Sequence, residues 1–167
     1  MSINWLKAIL GKAVKFIADC MVGKLARWLR LLGFDVSYYK KIEDEKLIEL
    51  AAKERRIILT RDHELINKAM KKKSLKPRTL LIESERWEEQ VDQVLGHFKL
   101  HKKIDPNSRC LECNEKLKYL PKSRAKNLVP PFVFEKADSF ALCPSCGRVF
   151  WKGTHFKDME KKLARFK

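Results

Sequence analysis

Four of the five cysteines stand in two pairs, Cys110-Leu111-Glu112-Cys113 and Cys143-Pro144-Ser145-Cys146, with 29 residues between them. A two-residue spacer lets two thiolates reach one ion from a tight turn, and two such turns complete the tetrahedral Cys₄ shell that suits Zn²⁺. Gly147 follows the second pair, where such a turn often needs positive φ. No histidine or carboxylate obviously joins the set, so Cys110, Cys113, Cys143 and Cys146 read as a closed, structural zinc shell that supplies folding energy and not chemistry. Disulfides are the competing use, and they belong to exported chains. Cys20 has no sequence partner and reads as a buried thiol.

A second constellation is acidic. Asp19 directly follows a strand-like run, Asp62 follows another through Arg61, and Asp44 opens a helical stretch, with Glu64 two residues beyond Asp62. Open parallel sheets place their sites at the carboxyl ends of strands, where these acids should emerge. Gathered carboxylates repel one another at neutral pH unless a divalent cation or lysines neutralise them, and Mg²⁺ or Mn²⁺ suits hard oxygen ligands. A plainer role competes, because Asp44 and Asp62 each also fit a helix N-cap. In a basic chain such a pocket points to metal-assisted phosphodiester hydrolysis, the ion polarising the phosphate, activating water and stabilising the leaving oxygen. Lys24, Arg27 and Arg61 are the nearest phosphate contacts, and Arg30 shares the polar side of one helix with Lys24 and Arg27. A receiver-type phosphoacceptor would want adjacent acids, whereas Asp19 has Ala18 and Cys20 as neighbours.

The charge balance supports a polyanionic partner: 37 Lys plus Arg against 21 Asp plus Glu give +16. Residues 101–167 hold 16 basic and 7 acidic groups, a net +9, against +5 for residues 15–100. A dispersed lysine excess also serves solubility alone. Near the cysteines, Lys116, Lys118, Lys122, Arg124, Lys126, Arg148 and Lys152 are interleaved with Tyr119, Phe150 and Trp151. Such a mixture can hold phosphates and stack on unpaired bases, with Arg148, Trp151 and Lys152 the chosen contacts. Phe150 more simply fills the small core of a zinc ribbon, and His155 is either a stacking group or a structural histidine.

The elements that must position these residues alternate. Val14 to Ala18, Asp35 to Tyr39, Ile57 to Thr60 and Thr79 to Glu83 read as strands. Between and after them lie helical patterns: Leu25, Trp28, Leu29 and Leu32 form one stripe ending at Gly33, followed by Asp44 to Glu54, Asp62 to Lys73 and Arg86 to Phe98. The alternation predicts an α/β fold with a mostly parallel sheet covered by helices. Composition shifts at His101 to Arg109, which divides the chain into an amphipathic extension 1–13, an α/β domain 14–100 and a ribbon 101–167 with a basic C-terminal end. The extension either packs on the domain or meets a partner or membrane surface. Lys7, Lys12 and Lys15 break the longest apolar stretch, which predicts no membrane span, no secretory signal and a cytoplasmic protein.

The string from Asp19 through Gly23, Lys24, Arg27, Trp28, Arg30 and Gly33 to Asp35 resembles the signature of the Mut-seven C-terminal ribonuclease domain family. Leu59-Thr60-Arg61-Asp62 and the four cysteines followed by Phe150-Trp151-Lys152-Gly153-Thr154-His155 extend the resemblance over about residues 15 to 160. It implies a PIN-like nuclease fold fused to a zinc ribbon and acting on RNA, with Asp19, Asp44 and Asp62 as the metal-binding acids. Glu64 takes the place where related domains often have a second aspartate. The combined reading is a Mg²⁺- or Mn²⁺-dependent ribonuclease whose ribbon aids binding of RNA with single-stranded character, with ribosome or tRNA contact as further partners. The alternative is a non-catalytic RNA- or ribosome-binding zinc-ribbon protein; a toxin-like nuclease controlled by a protein partner is a third reading.

Metal analysis of the purified protein should find one tightly bound zinc per chain. Folded protein with near-zero zinc, or with disulfides in place of free thiols, removes the ribbon from this account.

Overall fold

A computed structural model describes residues 14–75 and 77–166, apart from the side chains of residues 154–157 and 160; the amphipathic extension 1–13 and the His155 side chain lie outside what it describes. The first half of the chain is a β/α alternation: β1 (Lys15–Ala18), α1 (Gly23–Leu31), β2 (Asp35–Tyr38), α2 (Asp44–Glu54), β3 (Ile57–Thr60), α3 (His63–Lys71), β4 (Arg78–Leu81) and α4 (Trp87–Phe98). All three strand pairings are parallel, in the order β2-β1-β3-β4.

The period of two along β1 and β3 divides the apolar side chains between the two faces of the sheet. Phe16, Ala18, Ile57 and Leu59 join Leu25 and Leu29 of α1 and Val91, Val94 and Leu95 of α4 in one core. Ile17 and Ile58 point the other way, onto Leu47, Ile48 and Ala51 of α2 and Leu65 and Ala69 of α3. Burial on both faces explains why these strands read as continuous apolar runs. The expected α/β architecture is present, with element ends moved by one or two residues.

The second half begins with linker residues 101–109, which lie against the end of α1. Gly33 has φ +94°, and a Cβ there would stand 2.3 Å from the Asp105 carbonyl oxygen, so the helix end and the linker can meet only over a glycine. Asp105 N–H and Asn107 N–H donate to the Leu32 and Leu31 carbonyls at 3.0 Å each. A three-stranded antiparallel sheet follows, β5 (Lys118–Leu120), β6 (Phe140–Leu142) and β7 (Val149–Trp151), with the short helices α5 (Lys122–Ala125) and α6 (Pro131–Lys136) between its first two strands. Leu120, Ala125, Val133, Ala137 and Phe140 form its core. Residues grouped by sequence with the ribbon's basic end form α7 (Thr154–Leu163) and a 3₁₀ turn, and they return to the first core: Leu163 and Phe166 are buried there. Phe166 lies edge-on to Trp87, itself stacked on Trp28 at 3.8 Å. No described helix is long and apolar enough to cross a membrane.

Two expectations are corrected. Cys20, read as a buried thiol, is exposed, because it opens the 3₁₀ turn Cys20–Val22 beyond Asp19 at the edge of the sheet. Arg30, grouped with Lys24 and Arg27 as an RNA contact, is buried with 6% exposure. Its Nε donates to the Val36 carbonyl at 2.8 Å and its Nη1 to the Leu111 and Glu112 carbonyls at 2.9 and 2.8 Å. The i, i+3 spacing from Arg27 placed it on the polar side of the helix, but the ribbon covers that end of α1 and takes the guanidinium as a clamp.

Arg30→Ala should strand those carbonyls and destabilise the fold by about 2–3 kcal/mol. Arg30→Lys should recover little of it, because an ammonium lacks the planar fork that reaches carbonyls on two elements. Urea unfolding of both variants checks this, and a loss confined to the alanine variant would contradict it.

Candidate functional site

Two chemically distinct sites sit on opposite sides of the main sheet. At its carboxyl edge the strand order reverses between β1 and β3, so the chain leaves these neighbours in opposite directions, the position at which open parallel sheets place their sites. Asp19 stands directly after β1, only 5% exposed. Its Oδ1 accepts from the Met21 amide at 2.8 Å and its Oδ2 from the Thr60 hydroxyl, while Thr60 Oγ1 accepts in turn from the Asp62 amide at 2.9 Å. One buried hydroxyl therefore ties the first acid to the loop that carries the second. Asp62 caps α3, its Oδ1 accepting from the Glu64 and Leu65 amides at 2.7 and 3.3 Å. The cap role weighed for Asp62 is thus real, and it occupies one oxygen of the two.

Asp44 is the first residue of α2 and makes no cap; the N-cap position belongs to Glu43. Its Oδ2 instead pairs with Lys68 Nζ at 2.7 Å. Lys68 is held above its ordinary pKa first by that hydrogen bond and charge, against a small opposing effect of burial, with Glu64 and Asp62 adding to it. Burial pushes the Asp19 carboxyl up; the hydrogen bonds from Thr60, Met21 and Val22 oppose this, and the Asp62 charge adds to the rise. Asp19 is thus coupled to Asp62, and Lys68 to Asp44, Asp62 and Glu64. Sequence reading overlooked Thr60 and Lys68. The spacing of Glu64 and Lys68 along α3, i and i+4, is the signal that points to the latter.

The basic residues expected to contact RNA divide. Lys24 is exposed on the first turn of α1, close to the acidic edge. Arg27 pairs with Glu112 at 2.9 Å, and Arg148 reaches the other oxygen of the same carboxylate at 3.3 Å. Arg61 pairs with the exposed Glu85 at 2.9 Å. Trp151 ends β7 and Lys152 follows it, both exposed.

At the amino edge the four cysteines come together. Among the described residues they are the one group of three or more potential ligands whose donor atoms all lie within 4.8 Å of one another. Cys110 and Cys146 Sγ are 3.7 Å apart and Cys113 and Cys143 Sγ 3.3 Å, far beyond a disulfide bond and close to the about 3.8 Å edge of a tetrahedron with 2.3 Å Zn–S bonds. The two turns have the same construction. Cys110 N–H donates to the Glu115 carbonyl and Asn114 N–H back to Cys110; Cys143 N–H donates to Arg148 and Gly147 N–H back to Cys143. Each turn has a left-handed residue after its second cysteine, Asn114 at φ 67° and Gly147 at φ 72°. Burial pushes the Cys110 thiol up to about 12 and raises Cys143. At Cys113 burial is outweighed by the Glu115 amide and the neighbouring thiols, which bring it down to about 7. Four soft donors so placed fit a structural Zn²⁺, whose binding would displace their protons.

Asparagine in the first turn has a further use. Its Oδ1 accepts from the Val36 amide at 2.9 Å and its Nδ2 donates to Asp35 at 2.8 Å, joining the turn to the edge strand β2. Burial alone would raise Asp35, but hydrogen bonds from Arg56 and Asn114 and the charges of Arg56 and Arg109 hold it below the usual carboxylate range.

These opposite shifts give opposite pH dependences. Asp19, raised on folding, favours the fold fully below its unfolded value and loses that contribution as pH rises through its folded value, so metal-free Asp19→Asn should melt no lower than the parent at pH 7. That advantage should vanish on acidification below about pH 4. Asp35, lowered on folding, contributes stability above its unfolded value, and Asp35→Asn should lower the melting temperature at pH 7. Asn caps helices as well as Asp does, so Asp62→Asn should be neutral and Asp62→Ala should cost about 1 kcal/mol. Thermal melts at both pH values check all four; an Asp19→Asn variant that melts well below the parent at pH 7 would refute the buried-charge argument.

Compared with curated proteins and with solved structures, the chain finds no match. The profile of the Mut7-C RNAse domain matches residues 14–163, running from the first residue of the described fold through the last turn of α7 and taking in both the acidic edge and the four cysteines. A match over that much of the chain means that the protein belongs to the Mut7-C RNAse domain family.

Proposed function

We propose that the protein is a PIN-like, metal-dependent ribonuclease that hydrolyses RNA phosphodiester bonds at the carboxyl edge of its parallel sheet, with the zinc ribbon aiding RNA binding. The observation that carries this reading is Asp19, a carboxylate buried at the point where the strand order reverses and raised in pKa with the charge of Asp62 beside it. A buried, crowded acid is costly to ionise, and such acids cluster where a cation or a reaction uses them. Asp19, Asp62 and Asp44 offer hard oxygens suited to Mg²⁺ or Mn²⁺, with Glu64 as a fourth acid at the rim. When bound, the ion would polarise the scissile phosphate and lower the pKa of an attacking water. Thr60 orients Asp19 and holds the backbone of Asp62, and Lys68 balances Asp44. Lys24 and Arg61 flank the edge and draw the phosphate backbone toward it. The positive charge of residues 101–167 supports RNA as the polyanion, and family membership supports it independently.

A second reading, a non-catalytic RNA- or ribosome-binding protein, is favoured by two observations: Asp62 already serves as a cap and Asp44 already has a partner in Lys68.

Asp19→Asn and Asp62→Asn should abolish Mn²⁺- or Mg²⁺-dependent cleavage of RNA while leaving RNA binding intact or slightly tighter, since each removes a charge that repels phosphate. Gel assays of cleavage with each ion, beside binding assays over a salt series, separate the two readings. Parent protein that binds RNA yet never cleaves it with either ion would favour the binding protein.

A further inference from the structure

The ribbon sheet has two unlike faces. One, carrying Leu120, Phe140, Leu142 and Val149, packs with α5 and α6. On the other the pairing sets Tyr119 opposite Ala141 and Ala141 opposite Phe150, one row across three strands. This row lines a cleft of about 650 Å³ whose remaining walls include the linker and Met159 of α7. Tyr119 is 76% exposed. Phe150, expected in the ribbon's core, belongs to none of the three apolar clusters; its place in β7 turns it to the opposite face.

We propose that this cleft receives one unpaired nucleobase of single-stranded RNA, seated over Ala141 between Tyr119 and Phe150. The proposal rests on RNA being the polyanion and adds where and in what form it is held. The outer strands of the row stand two inter-strand spacings apart, about 10 Å, and the small side chain between them leaves a slot that a planar ring can enter to stack on Tyr119 or Phe150. Aromatic faces stack on any base, and a base can enter only when it is unpaired and unstacked. The surrounding module, with 16 basic and 7 acidic residues, matches a phosphate backbone and not a neutral apolar peptide. Because the first cysteine turn joins the ribbon to Asp35 and Val36 at the amino end of β2, the cleft lies on the ribbon side, apart from the acids. It anchors RNA and takes no part in chemistry.

The test uses the full chain, a labelled unstructured oligoribonucleotide and a blunt RNA duplex, with binding read by fluorescence anisotropy. Tyr119→Ala removes one wall; Ala141→Leu keeps both rings but fills the slot; Tyr119→Phe keeps the stack. The first two should each weaken single-strand binding about tenfold and leave duplex binding nearly unchanged, and the third should bind like the parent. Their melting temperatures should match the parent's, since Tyr119 is exposed and Ala141 faces the cleft. If the parent binds single strands with salt sensitivity but the first two variants bind equally well, the cleft proposal is overturned while the RNA reading stands. If the parent binds no RNA at all, both fall. Variants that leave RNA affinity untouched but make residues 1–13 newly sensitive to protease would overturn the proposal in favour of the chain's own amino-terminal segment as occupant.

Discussion

Parallel strands joined by covering helices place every carboxyl end on one edge of the sheet and every amino end on the other, and this polarity organises the rest of the molecule. Asp19 and Asp62 lie 43 positions apart in the chain, yet β1 and β3 are hydrogen-bonded neighbours, and the loops leaving them share the Thr60 hydroxyl. At the other edge, Asp35 opens β2 and Arg56 precedes β3, and the paired strand starts bring carboxylate and guanidinium together. The acids have one edge and the cysteine module the other because the strands all run the same way.

The contrast between Asp19 and Asp35 shows how environment and not residue type decides what an aspartate does. Both are largely withdrawn from water. Asp35 is met by two guanidiniums and an amide, so its charge is satisfied and the group works as a structural tie. Asp19 is met by a hydroxyl and backbone amides with another carboxylate nearby, so its charge is supported but not neutralised. The first arrangement is a structural tie, whereas the second leaves a buried carboxylate whose described partners include no cation.

The ribbon is attached through its cysteine turns. Arg30 holds the two carbonyls between Cys110 and Cys113, and Asn114 combines a left-handed backbone with a side chain that completes the edge of β2. Gly147, in the equivalent position of the second turn, supplies the same φ and has no side chain to dock. With Leu163 and Phe166 returned to the first core, the cysteine turns, the small sheet and the α/β layers form one connected structure. A metal held by the four cysteines would therefore brace the buried Arg30 clamp as well as the small sheet.

The sequence by itself determined the α/β alternation, the parallel sheet, the cysteine shell and the strand ends at which Asp19 and Asp62 emerge. Those features rest on local periodicity and short spacing: apolar runs of four, helical stripes, and two residues between cysteines. Only the tertiary structure decided that Arg30 is buried while Arg27 stays exposed, because both lie on the polar side of α1 and differ in what a segment some 80 residues away covers. The same holds for Phe150, whose face depends on which partner strand it meets, and for Lys68, whose place beside Asp44 depends on two crossover helices packing side by side. A charged or aromatic side chain carries no mark in the sequence of the surface it will face. Long-range packing sets that surface, and with it the dielectric, the partners and the use of the group.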